Sequence, residues 1–173
     1  MKKSDTEENG MSSKYSKIGL KAGLEIHQQL DTREKLFCSC EPKLFKGEPE
    51  FTFVRRLRPT QSELGQVDSA ALFEFHKGTW ILYEANNDTV CLVEMDEEPP
   101  HDLNREAVEI CLIASLMMKA KPVDEIHVMR KTVIDGSNTT GFQRTCVVAL
   151  NGEIDIKGKK VPIQQVSLEE DAA

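Results

Sequence analysis

Glu25 and His27 stand two residues apart in Leu24-Glu25-Ile26-His27-Gln28-Gln29-Leu30, a stretch in which apolar and polar residues alternate. As a strand it sends Leu24, Ile26 and the stem of Gln28 to one face and Glu25, His27 and Gln29 to the other. A carboxylate and an imidazole on one side of a strand are a ready pair of metal or proton ligands. A half-buried edge carrying two solvated side chains gives the same pattern, so other residues must decide. The run Leu168-Glu169-Glu170-Asp171-Ala172-Ala173 supplies candidates. Were Glu169 or Glu170 to approach Glu25, two carboxylates ~4 Å apart would repel by roughly 4 kcal/mol at the effective dielectric of a protein surface, and a proton or cation would have to compensate. Carboxylate oxygens with one imidazole suit Mg²⁺ or Mn²⁺ better than zinc. Magnesium held in this way is the usual partner of nucleotide phosphates.

Three further groups of residues bear on chemistry. The polar loop from Gly136 to Gly141 offers backbone N–H groups and hydroxyls, with Arg130, Lys131 and Arg144 beside it to neutralise phosphate charge. A plain β connection has the same composition, and neither a Walker sequence nor a dinucleotide fingerprint is present. Cys38-Ser39-Cys40 is half of a structural zinc site, while Cys91, Cys111 and Cys146 sit singly in apolar runs, where a thiol behaves as a small hydrophobe. No Cys or Ser stands in a nucleophile context. His76 and His101 read as loop residues and His127 as a packed strand residue.

The elements that must position these groups follow from pattern. Residues 1–16 are polar and read as a disordered tail, leaving 17–173 as the domain. A first strand is expected from Ile18 to Leu30, a return to the core at Leu36-Phe37-Cys38, and a strand at Phe51–Val54 that runs into Arg55, Arg56 and Arg58 and is stopped by Pro59. Leu64, Val67, Ala71 and Leu72 predict a helix over 62–75. Thr79–Tyr83 and Thr89–Met95 read as a hairpin around Asn86-Asn87-Asp88. Asp102 or Asn104 caps the clearest helix, Arg105 to Lys119, whose stripe Ala107, Cys111, Ala114 and Met118, with Met117, is expected in the core. Strands are expected at Glu125–Ile134, Arg144–Leu150, Glu153–Lys157 and Val161–Leu168, with Asn151-Gly152 as a hairpin turn. The fold class is α+β: a mostly antiparallel sheet with two main helices on one face.

At 173 residues, 39% hydrophobic and 29% charged, the chain has the size and composition of one ordinary soluble domain. It has no apolar run long enough to span a bilayer and no apolar signal segment, which makes the cytoplasm the expected compartment and a membrane partner unexpected. Five cysteines, an odd number, fit reduced thiols better than a disulfide framework. The net charge of -7 argues against gripping nucleic acid by phosphate neutralisation alone.

Taken together, Gly23–Leu30, Lys35–Cys40, Ser62-Glu63-Leu64-Gly65, Asp96–Pro100, Val128–Lys131 with Ile134–Thr145, and Leu168–Ala172 resemble the N-terminal part of the archaeal E-type subunits of glutamyl-tRNA(Gln) amidotransferase. Bacterial and organellar B-type subunits of that family share the Gly-Leu-Glu-Ile-His and Leu-Glu-Glu-Asp-Ala signatures. The resemblance covers nearly everything after the tail. It implies a glutamine-synthetase-like cradle domain, here its N-terminal portion. The implied chemistry is a carbon–nitrogen ligase reaction using ATP and Mg²⁺: phosphorylation of the glutamate γ-carboxylate on mischarged tRNA(Gln), then amidation to Gln-tRNA(Gln) with ammonia from an asparaginase-like amidase (D-type) subunit.

Carried over by motif, the magnesium ligands and catalytic residues are Glu25, His27, Glu169 and Glu170. Arg130, Lys131, Ser137, Gly141 and Gln143 fall in the segment lining the nucleotide and acceptor-end pocket. The implied partners are the amidase subunit and the Glu-tRNA(Gln) acceptor end, in a hetero-oligomer with dimerised subunits. The second cysteine pair that completes a zinc site in many B-type subunits is missing, and family members are several times longer. An inactive fragment, or a module that only docks the amidase or the tRNA end, is the alternative reading, and a zinc-binding regulatory domain is a third.

Overall fold

A long hairpin forms the backbone of the computed structural model, which describes residues 15–56, 59, 61, 64–132 and 142–170. Its arms are β5 (Phe142–Ile156) and β6 (Lys159–Glu170), and β5 also pairs antiparallel with β4 (Val128–Thr132) and β3 (Lys121–Pro122). The turn falls at Lys157 and Gly158, both left-handed with φ of 52° and 82°, the geometry that matches the twist of a two-residue hairpin. Asn151-Gly152, expected to turn, lies inside β5 instead. Gly152 is there for room: a Cβ would stand 2.8 Å from the Met118 carbonyl, which accepts a hydrogen bond from Glu153 N at 2.7 Å. A glycine demanded by close backbone approach looks, in sequence, like a glycine demanded by a turn.

A second irregularity sits at Val148. Thr145 pairs with Glu169 and Val147 with Ser167, but Ala149 pairs with Val166, so one extra residue is inserted in β5. Around the bulge Cys146, Val148 and Ala149 are all fully buried, and Cys146 and Val148 share one apolar cluster.

The helix α2 (Arg105–Met117) lies on this sheet, and its expected cap holds: the Asn104 side chain accepts hydrogen bonds from Glu106 N and Ala107 N. Ala107, Cys111 and Ser115 repeat every four residues and form its buried stripe, packing with Cys146, Val148 and Leu168. Ser115 satisfies its buried hydroxyl by donating to the Cys111 carbonyl at 2.7 Å. Met117, expected in the core, is exposed, because it falls on the opposite side of the helix from that stripe.

The remaining elements depart further from expectation. The helix expected over 62–75 is confined to α1 (Ser69–His76). It starts where Asp68 accepts from Ala71 N, after Gly65 has taken a left-handed φ of 74°. Only α2, among the described residues, packs on the four-stranded sheet, so the picture of two helices on one face is corrected to one. β2 (Ile81–Ala85) pairs with β1 (Phe51–Arg55) and not with the segment 89–95. Asn86 explains this: its side chain accepts from Asp88 N and Thr89 N, starting a helical turn in place of a chain reversal. Leu36-Phe37-Cys38 does re-enter the interior, where Phe37, Cys38 and Val93 form a second buried cluster.

The expected strand over 18–30 does not form. The segment from Lys21 to Thr32 has no ladder partner among the described residues, and Leu24 and Ile26 are exposed. Alternation decides which side chains share a side of an extended segment, but ladder bonds need a neighbouring edge. The expected strand over 125–134 begins only at Val128, and residues 133–141 lie outside the described part. The expected tail likewise falls almost wholly outside it, at residues 1–14. Among the described residues no helix is long and apolar enough to cross a membrane.

Candidate functional site

Strand parity sorts the candidate residues onto two faces of the sheet. Across β4, β5 and β6 the register sets Lys131 opposite Gln143 and Thr145 opposite Glu169, and independently sets Arg130 opposite Arg144 and Arg144 opposite Glu170. Residues directly opposed share a face and neighbours in sequence do not. Lys131, Gln143, Thr145 and Glu169 therefore belong to one face, and Arg130, Arg144 and Glu170 to the other.

On the first face the segment around Glu25 lies beside the strands. One ligand atom each of Glu25, His27 and Glu169 falls within 4.8 Å of the others. His27 Nε2 is 3.3 Å from Glu25 Oε1, and Lys131 Nζ is 3.5 Å from both Glu25 Oε1 and Glu169 Oε1. The Thr145 hydroxyl, 3.1 Å from Glu169 Oε1, anchors that carboxylate to β5. Glu169 is mostly buried, with 20% of its side chain accessible, while Glu25 is 67% accessible. Burial works against the Lys131 charge, but the Glu169 and Glu25 carboxylates outweigh it and hold its pKa above the ordinary lysine value. Two carboxylates and an imidazole converging from a loop and a strand fit a hard divalent cation that keeps some of its waters. Mutual repulsion of the carboxylates, roughly 1 kcal/mol in water and 3–4 at a surface dielectric of ~20, gives any cation a reason to sit between them.

The second face serves the fold. Arg144, buried, donates from Nη1 to Glu170 Oε1 at 2.8 Å and from Nη2 to Asp96 Oδ1 and the Val93 carbonyl, each at 3.1 Å. Arg130 Nη2 meets the same Asp96 oxygen at 3.0 Å. Burial, and after it the nearby Glu94 carboxylate, raises the Glu170 pKa above the usual carboxylate range against the pull of Arg144. Among the described residues Glu170 Oε2 has no hydrogen-bond partner. The structure therefore does not bring Glu170 to Glu25 and His27, although their adjacency in the motif paired Glu170 with Glu169. Nor does it set Arg130 beside Lys131: one sits at Asp96, the other at Glu25 and Glu169. Gln143 is buried next to Lys131 in register. Ser137 and Gly141 lie outside the described residues.

Thr145 is not a candidate from sequence. Its signal exists only as a cross-strand partner of Glu169, which requires the register. Cys91 escapes for a similar reason. It approaches Cys38 and Cys40 so that the three thiols lie within 4.8 Å of one another, giving the Cys38-Ser39-Cys40 pair a third member that sequence spacing does not show. Glu94 is next to them, with its Oε1 3.5 Å from Cys38 Sγ and its Oε2 held by Lys35 at 2.6 Å. Burial pushes the Cys38 and Cys40 thiols up. Zinc, if bound, would be held by these three sulfurs, the donor type it prefers.

The sequence model of the GatB/GatE catalytic domain matches residues 20–173. Among curated proteins, the E-type glutamyl-tRNA(Gln) amidotransferase subunit of Aeropyrum pernix is 62% identical over 160 residues, covering 92% of this chain and 25% of that protein. The corresponding protein of Sulfolobus acidocaldarius, of the same name, is 56% identical over 159 residues, 92% of this chain and 25% of its own length. That of Methanocaldococcus jannaschii is 54% identical over 163 residues, 94% and 26% respectively. The chain thus spans about a quarter of the length of the curated relatives it matches.

Proposed function

The chain belongs to the GatB/GatE catalytic-domain family, and from that premise we propose that it carries the divalent-cation site of an E-type amidotransferase subunit that activates glutamate on tRNA(Gln). The observation that supports this reading is the convergence of Glu25, His27 and Glu169 within 4.8 Å. Those residues would hold Mg²⁺, and Lys131 stands next to them. Magnesium, when bound, neutralises phosphate charge during phosphoryl transfer.

The overall reaction has two displacements. A γ-carboxylate oxygen of the esterified glutamate bonds to the terminal phosphorus of ATP as the bond to ADP breaks. Ammonia then bonds to the acyl carbon, phosphate leaves with its oxygen, and a proton is lost to give the amide. Within this chain, Glu25 and Glu169 would supply negative charge for the cation and His27 a nitrogen donor, while the Thr145 hydroxyl fixes the Glu169 carboxylate on β5. A glutamine-synthetase-like cradle domain to which this sheet contributes, an amidase subunit as ammonia source, and docking of the tRNA acceptor end belong to the same proposal.

The test uses the longer subunit carrying this domain, with its partner and Glu-tRNA(Gln). Glu25→Gln or His27→Ala should abolish ATP-dependent phosphorylation of the aminoacyl-tRNA while leaving tRNA binding in place. Full phosphorylation in either variant would overturn the assignment. A wild-type subunit that binds tRNA and amidase but never consumes ATP would favour a docking role instead.

A further inference from the structure

Lys131 occupies a position that the proposed cation chemistry has to contend with. Its Nζ is equidistant, at 3.5 Å, from Glu25 Oε1 and Glu169 Oε1, on the two carboxylates that would hold a divalent ion beside His27. β4 fixes where the lysine starts, through its register with Gln143 on β5, and the Thr145 hydroxyl fixes where the Glu169 carboxylate points. Glu25 is tied to the sheet by no ladder bond among the described residues, and the ammonium lies between this exposed carboxylate and Glu169.

An ammonium is a compact point charge on a flexible four-carbon stem, able to swing aside while its backbone stays in place. It and a divalent ion repel each other and draw on the same two carboxylates. We propose that Lys131 is a built-in competitor: its ammonium bridges Glu25 and Glu169 and yields both carboxylates when a divalent cation enters. Lys131 is on this account a resident cation whose charge sets the threshold for metal entry. The inference rests on the magnesium reading given above and deepens it.

Mn²⁺ alone is the probe, titrated into the 173-residue chain with free Mn²⁺ followed by electron paramagnetic resonance. Lys131→Met and Lys131→Gln, which keep the stem and remove the charge, should both bind Mn²⁺ about five- to tenfold more tightly than wild type, the effect of removing one partly screened positive charge at this distance. Lys131→Arg should bind close to wild type. Equal or weaker Mn²⁺ binding in both neutral variants, with wild-type far-UV circular dichroism, would overturn the competitor role and leave the metal site standing. Saturable Mn²⁺ binding absent from wild type and from every variant would overturn the magnesium reading itself, and the competitor with it.

Discussion

The tripeptide Glu-Ile-His occurs twice in this chain, at 25–27 and at 125–127, and the two copies make an internal comparison. Each closes the same contact on itself: His27 Nε2 is 3.3 Å from Glu25 Oε1, and His127 Nε2 is 3.0 Å from Glu125 Oε2. Both pairs are more than half exposed. His127, expected as a packed strand residue, instead precedes β4 and faces solvent. What separates the copies is company. Glu169 and Lys131 stand beside the first, whereas among the described residues no third metal-type ligand joins the second. The tripeptide supplies two donors in either place, and only the register of β6 against β5 makes them part of a site.

The comparison can be pressed at several points. The largest effect is expected at the support of β6. Arg144→Met leaves the buried Glu170 carboxylate without its cation, and should cost about 3–5 kcal/mol in urea unfolding. The Mn²⁺ site near Glu25 should weaken along with the strand end. A cost under ~1 kcal/mol would mean that Arg144 does not hold this end of the hairpin. Next, Glu25→Gln with His27→Ala should lower Mn²⁺ affinity at least 100-fold, about 2.8 kcal/mol. Glu125→Gln with His127→Ala should leave it within twofold; comparable losses in both would erase the distinction between the copies.

Glu169→Gln should reduce the first copy to the condition of the second, with a loss of about tenfold in the same titration. The smallest effect concerns pH. Because the folded-state pKa of Glu170 is raised, its contribution to stability is fullest below the ordinary carboxylate pKa and is lost as pH rises through the folded value. Glu170→Gln imitates the protonated form. Wild type should therefore lose stability relative to that variant as pH rises above the ordinary carboxylate range, with no change in Mn²⁺ affinity at fixed pH. A difference that stayed flat or rose would contradict the burial of this carboxylate.

Much of the site is legible in the chain. The alternation at the C-terminal motif already puts Glu169 and Glu170 on opposite faces, and the residue types at Glu25 and His27 with Glu169 or Glu170 suggest hard-cation ligands before any fold is known, without saying which glutamate joins them. The α2 helix and its Asn104 cap are legible because both depend on residues within one or two turns. What fails is non-local. The period-two pattern over 18–30 fixes sidedness but not a pairing partner, so it over-predicts a strand. Asn151-Gly152 carries a turn signal, yet the glycine answers to Met118 more than thirty residues away. Arg130 adjoins Lys131 in sequence and is grouped with it by charge, while the pleat sends the two to different acidic partners. Cys91 joins Cys38 and Cys40 only after Asn86 has started a helical turn where a strand is expected.

The extra residue at Val148 bears on this site from a distance. On the Glu169 side of the bulge, odd-numbered residues of β5 face Lys131; on the far side, odd-numbered Ala149 faces the core with Val166. The long hairpin is thus two frames out of phase, joined at a side chain that is fully buried. A slip started at the exposed Lys157–Gly158 turn could pass into the ligand end only by dragging Val148 out of the interior. The bulge works as a detent: it keeps a shift at the tip of the hairpin from exchanging Glu169 for Glu170 on the face that carries Lys131.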